Sequence, residues 1–262
     1  VMAERRPDLS FALLGSDDDG VSADQEVTRR DLERREQERS AFLAQLSHDL
    51  RSPLASILGF TDLIEVELGE GLDPVALHLG AIRRNGQALL RLIDELVDVA
   101  SLDAGTFHLR RSSLPLAGII AEVRRLTAAR LAKDRYQVSW PAADWDQTTV
   151  EVDARRLVQA LVYLIDHACD HTRPGGSISL SVQAGAPDLI LVVEDNGRGI
   201  PEEDLEAVFR PFVCRETALR LGAGLGLAIA RGVVLAHGGR IEVSSEVGRG
   251  TRFTLAIPAE AP

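Results

Sequence analysis

The spacing of apolar residues along the first 104 positions predicts two consecutive amphipathic helices. Between residues 42 and 67, leucines and isoleucines recur at steps of three, four or seven, which is the spacing of one helix face. A second segment, ending near Leu102, alternates apolar residues three and four apart, as in a heptad seam. The run Gly69-Glu70-Gly71-Leu72-Asp73-Pro74 lies between them and contains helix-stop and helix-start signals. We therefore expect an antiparallel helical hairpin.

A single hairpin of this kind cannot bury both of its apolar seams. Two copies that pair through these seams would form a four-helix bundle, which is a common arrangement for such helices. The alternative is a hairpin that docks on the second domain of its own chain. We favour the homodimer with a four-helix bundle.

The pattern changes after residue 104, where short strands are mixed with helices. Strands are predicted at 108–111, 136–140, 148–152, 177–183, 189–194, 240–244 and 252–257. Helices are predicted at about 115–132, 154–171 and 224–237, the second of them capped by Asp153. Since these elements do not form regular βαβ repeats, we expect an α+β sandwich with helices on one face of a mixed sheet.

These patterns divide the chain into four segments. Residues 1–23 are polar and acidic without periodicity, which is typical of a tail. Residues 24–41 carry opposite charges four apart, which indicates a solvated helical linker, with a signalling coiled coil as the alternative. Residues 42–104 form the hairpin domain, and residues 105–262 form the mixed domain.

Composition and charge narrow the set of partners. The chain has 262 residues, 45% of them hydrophobic, and a formal net charge of −11. This charge argues against binding to nucleic acid or to an anionic membrane surface, because both repel such a protein. Cys169 and Cys214 match no disulfide framework or metal spacing and suggest a reducing compartment. No apolar run is long enough to span a bilayer, and the sequence begins at Val1 without an initiator methionine, so we expect a fragment whose membrane segment, if any, lies outside it.

Candidate chemistry begins with a histidine on the first helix. His48 points about 200° away from the apolar stripe, so we expect its imidazole to be exposed. Asp49 is next to it, and Ser52 follows one turn later. An exposed imidazole with a neighbouring acid can act as a nucleophile. A lone surface histidine usually has no such role, so this interpretation depends on the rest of the chain.

Two glycine-rich loops lie far downstream of His48. Asp195-Asn196-Gly197-Arg198-Gly199-Ile200 directly follows an apolar strand, and Gly222-Ala223-Gly224-Leu225-Gly226-Leu227 opens a helix. Glycines before a helix N-terminus let backbone N–H groups approach phosphates, whose negative charge the helix dipole favours. Asp195, at a strand end, could accept a hydrogen bond from an adenine amino group. Each loop alone is a weak signal, because paired glycines are common in ordinary turns.

The motifs taken together resemble those of the bacterial sensor histidine kinases of two-component systems. Their order is Ser47-His48-Asp49-Leu50-Arg51-Ser52-Pro53, the Asp195 loop, Phe209-Arg210-Pro211-Phe212, the Gly222 loop and Gly248-Arg249-Gly250-Thr251. The resemblance covers about residues 40–258. It implies a dimeric four-helix domain that carries the phosphoacceptor histidine, followed by an ATP-binding α/β sandwich of the kind found in DNA gyrase and Hsp90. It also implies a cytoplasmic location, as part of a longer sensor.

The resemblance assigns roles to individual residues. His48 corresponds to the phosphoacceptor, Asp49 to the acid that acts as general base, and Ser52 to the position that orients water for dephosphorylation of the partner. The ATP-binding set corresponds to Asp195, Gly197, Gly199, Gly222, Gly224, Gly226, Leu227, Thr251 and His171. An aromatic pair and the ATP lid correspond to Phe209, Phe212 and 213–223. The implied cofactors are ATP and Mg²⁺, and the implied partners are a second copy of the chain and a response regulator receiver domain.

One motif departs from the family pattern. In the family, the helix that opens the ATP-binding domain carries an Asn that binds Mg²⁺ and, three residues later, a basic residue that reaches the phosphates. These positions hold His167 and Asp170, and an earlier position that is commonly Asn holds Tyr163. Imidazole is a poor ligand for a hard cation, and Asp170 adds negative charge near the phosphates. Two remedies are open: Asp166 or Asp170 ligates the metal in place of the Asn, or Arg173, Arg215 or Arg220 supplies the positive charge. The alternative is that the pocket has lost efficient ATP chemistry.

Three functions are weighed against these residues. The leading one is an ATP-dependent protein-histidine kinase that phosphorylates its own His48 and passes the phosphoryl group to a response regulator. The alternative is a degenerate kinase that acts as a phosphatase or scaffold for a response regulator. An ATPase of the gyrase or Hsp90 type would leave the His48 helix unexplained. We expect His167 and Asp170 to impair turnover more than nucleotide binding, because Asp195 and the glycines are kept.

Overall fold

The computed structural model describes residues 50, 52–64, 72–141, 148–185, 188–211 and 224–258. All of them belong to one compact unit, His48–Pro262. The predicted tail and linker lie outside the described residues, as do His48 and Asp49.

The first described elements are the two helices of the predicted hairpin. Helix α1 covers residues 52–64, and helix α2 is Leu72–Asp103. A Cβ placed on Gly86 would lie 4.0 Å from Cδ1 of Ile57, and the rings of Phe60 and His78 are 5.4 Å apart. Later residues of α1 therefore meet earlier residues of α2, as an antiparallel hairpin requires. None of the described helices is long and apolar enough to cross a membrane.

Seven strands follow in the described part of the chain, and they form two sheets. The strands are β1 (Ser112–Pro115), β2 (Gln137–Ser139), β3 (Thr149–Val152), β4 (Ser177–Gly185), β5 (Asp188–Asp195), β6 (Arg240–Glu246) and β7 (Gly250–Pro258). Strands β1 and β3 pair antiparallel as a small sheet. The other five have the order β2-β4-β5-β7-β6, in which only the β2–β4 pair is parallel. The mixed sheet predicted from the sequence is confirmed.

Three helices follow: α3 (Leu116–Lys133), α4 (Ala154–His171) and α5 (Gly226–Ala236). Helices α4 and α5 pack on the five-stranded sheet, and α3 packs against α4 and β1. Two short 3₁₀ turns, Glu202–Asp204 and Ala207–Phe209, precede α5. Helix α4 buries the apolar face that its period predicts: Leu157, Val158, Ala160, Leu161, Leu164, Ile165, Ala168 and Cys169. It begins as predicted, because the Asp153 carboxylate accepts a hydrogen bond from the Arg156 N–H at 3.1 Å.

The strand predicted at 108–111 is wrong, since strand β1 begins only at Ser112. The backbone N–H of Arg110 donates to Oδ2 of Asp153 at 2.8 Å. The guanidinium of Arg111 donates to the carbonyl of Ala236 at 3.2 Å. These residues attach the chain to the ends of α4 and α5, and the strand ladder starts afterwards, with Ser112 opposite Val152.

The C-terminal part of α2 shares the core of the second domain. Leu92 and Val99 belong to the same buried cluster as the residues of α4 and α5. A Cβ placed on Gly232 of α5 would collide with the side chain of Leu102. Oδ1 and Oδ2 of the buried Asp98 both accept hydrogen bonds from Nη1 of Arg156, each at 2.7 Å. Helix α2 is therefore fixed to α5 by an apolar contact and to α4 by a buried ion pair.

Candidate functional site

The sheet side of the site is built around Asp195, the last residue of β5. Residues 191–193 of that strand are apolar and buried, and Asp195 itself is only 6% exposed. Oδ1 of Asp195 accepts a hydrogen bond from the N–H of Gly197 at 2.8 Å. Burial raises the pKa of this carboxyl group, and the Gly197 and Thr251 N–H groups partly offset that rise. A buried carboxylate at a strand end is suited to recognise a hydrogen-bond donor of a ligand.

The glycines of the first loop are required by the protein's own backbone. A Cβ on Gly197 would collide with the carbonyl of His171, to which the N–H of Arg198 donates at 3.0 Å. Gly199 has a φ of +71°, and a Cβ there would collide with the carbonyl of Glu246. The loop is therefore clamped between the end of α4 and the end of β6, and a side chain at either glycine would displace it from Asp195.

The turn between β6 and β7 closes the sheet side. A Cβ on Gly250, whose φ is +118°, would collide with the carbonyl of Asp195. Thr251 pairs with Asp195 in the sheet and is buried. The Oγ of Ser245 accepts from the N–H of Ile200 at 2.8 Å and lies 3.0 Å from Oγ1 of Thr251. Ser245 was not predicted, and no local pattern in the sequence distinguishes it from an exposed strand serine.

The second glycine loop leads into α5. Gly222 lies outside the described residues, whereas Gly224, Gly226 and Leu227 are described. Gly224 has a φ of +67°. Leu225 precedes the helix and has no polar side chain to cap it, and the first turn contains no acidic residue. The N–H groups at the start of α5 are therefore not neutralised locally, which suits an anion.

The helix side of the site is formed by α4, where the rings of two histidines meet edge to face. The rings of His167 and His171 are 4.2 Å apart, and the ring of His167 also lies 5.4 Å from that of Phe253 on β7. Phe253 in turn contacts Phe209, the first member of the predicted aromatic pair; Phe212 lies outside the described residues. Nε2 of His167 is buried, and the structure gives it no hydrogen-bond partner.

The charge state of His167 follows from this packing. Burial, together with the nearby His171 and Arg198, lowers the pKa of His167 to about 3. The imidazole is therefore neutral at physiological pH and offers a nitrogen rather than an oxygen.

The two acids of the helix side are both engaged by one arginine of α3. Nη2 of Arg130 donates to Oδ1 of Asp170 at 2.6 Å, and Nε of Arg130 lies 3.4 Å from Oδ1 of Asp166. Burial is the main cause of a raised pKa for Asp166. The negative charge that Asp170 adds is thus balanced by an arginine of α3.

Tyr163 links the helix side to α2. A Cβ on Gly226 would come within 3.1 Å of the Tyr163 ring, so the ring lies against the start of α5. Its hydroxyl lies 3.4 Å from Nε2 of Gln159 and is hydrogen-bonded to Glu95 of α2. Burial, followed by the charge of Glu95, raises the pKa of Tyr163. Glu95, Asp98 and Arg130 were not predicted, since nothing in the sequence indicates which residues of other helices meet α4.

The described residues do not fit a Mg²⁺ ion on α4. Magnesium demands hard oxygen ligands in octahedral geometry. His167 supplies nitrogen, and both acids are bound to Arg130. Across the described ranges, no group of three or more His, Cys, Asp or Glu side chains is placed to hold a metal ion.

The predicted catalytic residues of the hairpin are only partly within the described chain. His48 and Asp49 are outside it, and Ser52 is an exposed residue of α1 whose carbonyl accepts from Oγ of Ser56 at 3.1 Å. The structure brings together Asp195, Gly197, Gly199, Thr251 and His171 in one cluster. The roles of all these residues remain predictions.

Two family models match the chain. One, described as the His Kinase A (phospho-acceptor) domain, matches residues 38–105. The other, described as histidine kinase-, DNA gyrase B- and HSP90-like ATPase, matches residues 152–261. The chain belongs to the sensor histidine kinases. This family membership confirms the predicted order of a phosphoacceptor domain and an ATP-binding domain.

Similar proteins agree with this assignment. Sensor protein DivL of Caulobacter vibrioides is 32% identical over 254 residues, which are 96% of this chain and 30% of DivL. The chain thus spans about a third of the length of that relative. The histidine kinase AdeS of Acinetobacter baumannii has the same fold, with a TM-score of 0.63 at 23% identity over 81% of this chain and 98% of its own. A histidine kinase, ThkA, solved in complex with response regulator protein TrrA, gives a TM-score of 0.58 at 25% identity over 90% of this chain and 67% of its own.

Proposed function

We propose that this sensor histidine kinase core phosphorylates His48 from ATP and passes the phosphoryl group to an aspartate of a response regulator. A ring nitrogen of His48 attacks the γ-phosphorus, the bond from that phosphorus to the β–γ bridging oxygen breaks, and ADP leaves. Asp49 takes the role of the base that accepts the imidazole proton. Ser52 orients water when the partner is dephosphorylated.

The buried Asp195 is the observation that supports ATP as the phosphoryl donor. Its carboxylate is held at the end of β5 by a loop whose glycines tolerate no side chain. A rigid buried acceptor discriminates a purine amino group from groups that cannot donate. The uncapped start of α5 provides N–H donors for the phosphates, close to the ring of Tyr163.

A homodimer and a response regulator are the partners in this proposal. Helices α1 and α2 leave large apolar side chains exposed: Leu54, Leu58, Leu63, Leu79, Leu90, Ile93 and Val97. Leu79 and Ile93 belong to the predicted heptad seam, and a second copy would cover them in a four-helix bundle. The likeness to ThkA, solved with a response regulator protein, supports a receiver domain as the phosphoryl acceptor.

We also propose that the helix side slows phosphoryl transfer. Positioning and charge neutralisation supply most of the catalysis in such reactions. His167 offers no hard ligand to a metal, and Asp170 is an acid at the position that the family pattern gives to a basic residue. His167→Asn and Asp170→Lys should therefore each increase the autophosphorylation rate.

Incubation of the protein with γ-labelled ATP, in Mg²⁺ and separately in Mn²⁺, tests the proposal. Label on the wild type that is absent from His48→Ala would support it. Asp195→Asn keeps an oxygen for the Gly197 N–H but loses the charge, and it should reduce labelling by about tenfold through weaker ATP binding. Nucleotide binding without label would favour the degenerate kinase, which the comparisons do not favour.

A further inference from the structure

The helix side lacks the ligands of a hard cation, yet it is closely packed. His167 lies between the rings of His171 and Phe253, and the described structure leaves its Nε2 buried without a partner. A water or an ion would fill that place only if further polar partners surrounded it. Position 167 thus offers a buried ring nitrogen where the family pattern has an amide oxygen.

The carboxylates nearest to His167 along α4 are not available as substitutes. Asp170 forms a 2.6 Å ion pair with Arg130, and the same guanidinium lies 3.4 Å from Asp166. Turning either acid toward a metal would leave Arg130 without that partner. Because one guanidinium serves both acids, α3 neutralises the charge that a cation would otherwise neutralise.

The contacts that the protein offers to the base and to the phosphates of a nucleotide need no metal ion. Asp195 is positioned by the Gly197 N–H, and the start of α5 carries unneutralised N–H groups. Base recognition and backbone donors are therefore both supplied by the protein.

We propose that the ATP-binding domain binds adenine nucleotides without a divalent cation, with the His167 ring in place of a metal ligand. This inference rests on the proposed binding of ATP, but not on phosphoryl transfer. It concerns affinity, which is measured separately from labelling of His48.

Calorimetric titration of ATP into the full chain, once with EDTA and once with Mg²⁺ in excess, tests the inference. The two dissociation constants should agree within about twofold. A constant at least tenfold tighter with Mg²⁺, or binding seen only with Mg²⁺, would overturn the inference. Magnesium-dependent binding together with label on His48 would remove this inference and leave the proposed function standing. Absence of binding under both conditions would remove both.

The variant His167→Asn tests whether His167 is the residue that makes ATP binding independent of Mg²⁺. An amide oxygen is a hard ligand, so Mg²⁺ should tighten ATP binding by this variant by about tenfold. His108→Asn makes the same exchange at an exposed position and should keep the metal-independent binding of the wild type. If His167→Asn binds ATP with no response to Mg²⁺, His167 is not what excludes the metal and that part of the inference fails. Circular dichroism of each variant checks that α4 remains folded.

Discussion

The sheet side and the helix side of the site differ in what holds them. On the sheet side, Gly197, Gly199 and Gly250 contact carbonyl oxygens of the backbone, so the residue type is dictated by main-chain geometry. On the helix side, the polar groups of Tyr163 and Asp170 are accommodated by partner side chains, whereas His167 is held by ring contacts with His171 and Phe253. Asp170 is paired with Arg130.

This difference explains why the two sides depart unequally from the family pattern. A backbone oxygen cannot move without displacing a strand, and close-packed interiors resist such shifts. A side chain on a helix can change when a second side chain supplies the compensating charge or hydrogen bond. Tyr163 illustrates this, with Glu95 and Gln159 around its hydroxyl. The residue types of the sheet side are therefore constrained, whereas those of the helix side can vary.

The largest effect on stability is expected from Asp98→Ala. This variant breaks the ion pair between Asp98 of α2 and Arg156 of α4, which we call the buried anchor of α4. Asp98 is 6% exposed and accepts from Arg156 and from Nε2 of Gln159. Removing one partner of a buried pair leaves an uncompensated charge, at a cost of about 3 kcal/mol in the free energy of unfolding. Urea denaturation measures it. Asp94→Ala, on an exposed position of the same helix, should stay within about 0.5 kcal/mol of the wild type, and equal losses for the two would refute the buried anchor.

Gly199→Ala tests the backbone constraint of the sheet side. The new Cβ meets the carbonyl of Glu246 at a left-handed backbone, so we expect a loss of about 2 to 3 kcal/mol in the free energy of unfolding. Gly248→Ala is the matched control, because its φ is +84° with open space around it. It should cost only about 1 kcal/mol. Similar losses for both variants in urea denaturation would mean that backbone strain, rather than the close contact, makes Gly199 necessary.

Much of the fold follows from local pattern. The period of α4, its cap at Asp153 and the apolar strand before Asp195 are all visible in the sequence, and all are confirmed as secondary structure. The strand predicted at 108–111 failed because its backbone is used by Asp153, a contact between residues 43 apart. Local periodicity contains no information about such a contact.

The site could be predicted less completely than the fold. The sheet side is recognisable because glycines and Asp195 form a contiguous motif next to a strand. The helix side depends on pairs that are distant in the chain, such as Arg130 with Asp170 and Asp98 with Arg156, which are 40 and 58 residues apart. The sequence therefore identifies Asp170 as unusual without indicating what balances its charge.

The free energy of unfolding should depend on pH through His167, which lies on the helix side of the site. Burial lowers its pKa from the ordinary value of 6.5 to about 3, so the unfolded chain takes up a proton at a higher pH than the folded one. The stabilisation is present above pH 6.5 and is lost as the pH falls toward the folded pKa. Between pH 6.5 and pH 5 this loss amounts to about 2 kcal/mol.

His167→Asn isolates that loss. Another buried histidine, His237, accepts the N–H of Asp153 through Nε2, and burial also lowers its pKa. Because His237 is present in both proteins, its contribution cancels in the difference between the wild type and His167→Asn. Urea denaturation at pH 7, 6 and 5 should show a shallower decline for the variant. Parallel declines would mean that His167 titrates in the folded protein as it does in the unfolded one.

The smallest effect on stability is expected from Arg130→Ala. This variant breaks the ion pair between Arg130 of α3 and Asp170 of α4, which we call the exposed anchor of α4. Arg130 and Asp170 are 38% and 35% exposed, so water and salt screen their attraction, and the loss should stay below about 1 kcal/mol.

The affinity for ATP should respond more strongly than stability does, because Arg130→Ala removes the positive charge that lies beside Asp166 and Asp170. We expect ATP binding to weaken about threefold in titration at low salt, a difference that high salt removes. Arg130→Ala/Asp170→Asn should recover most of the affinity, whereas Arg125→Ala, on the same helix and paired with Glu122, should leave it unchanged. A loss of stability as large as that of Asp98→Ala would contradict the difference between the buried and exposed anchors of α4.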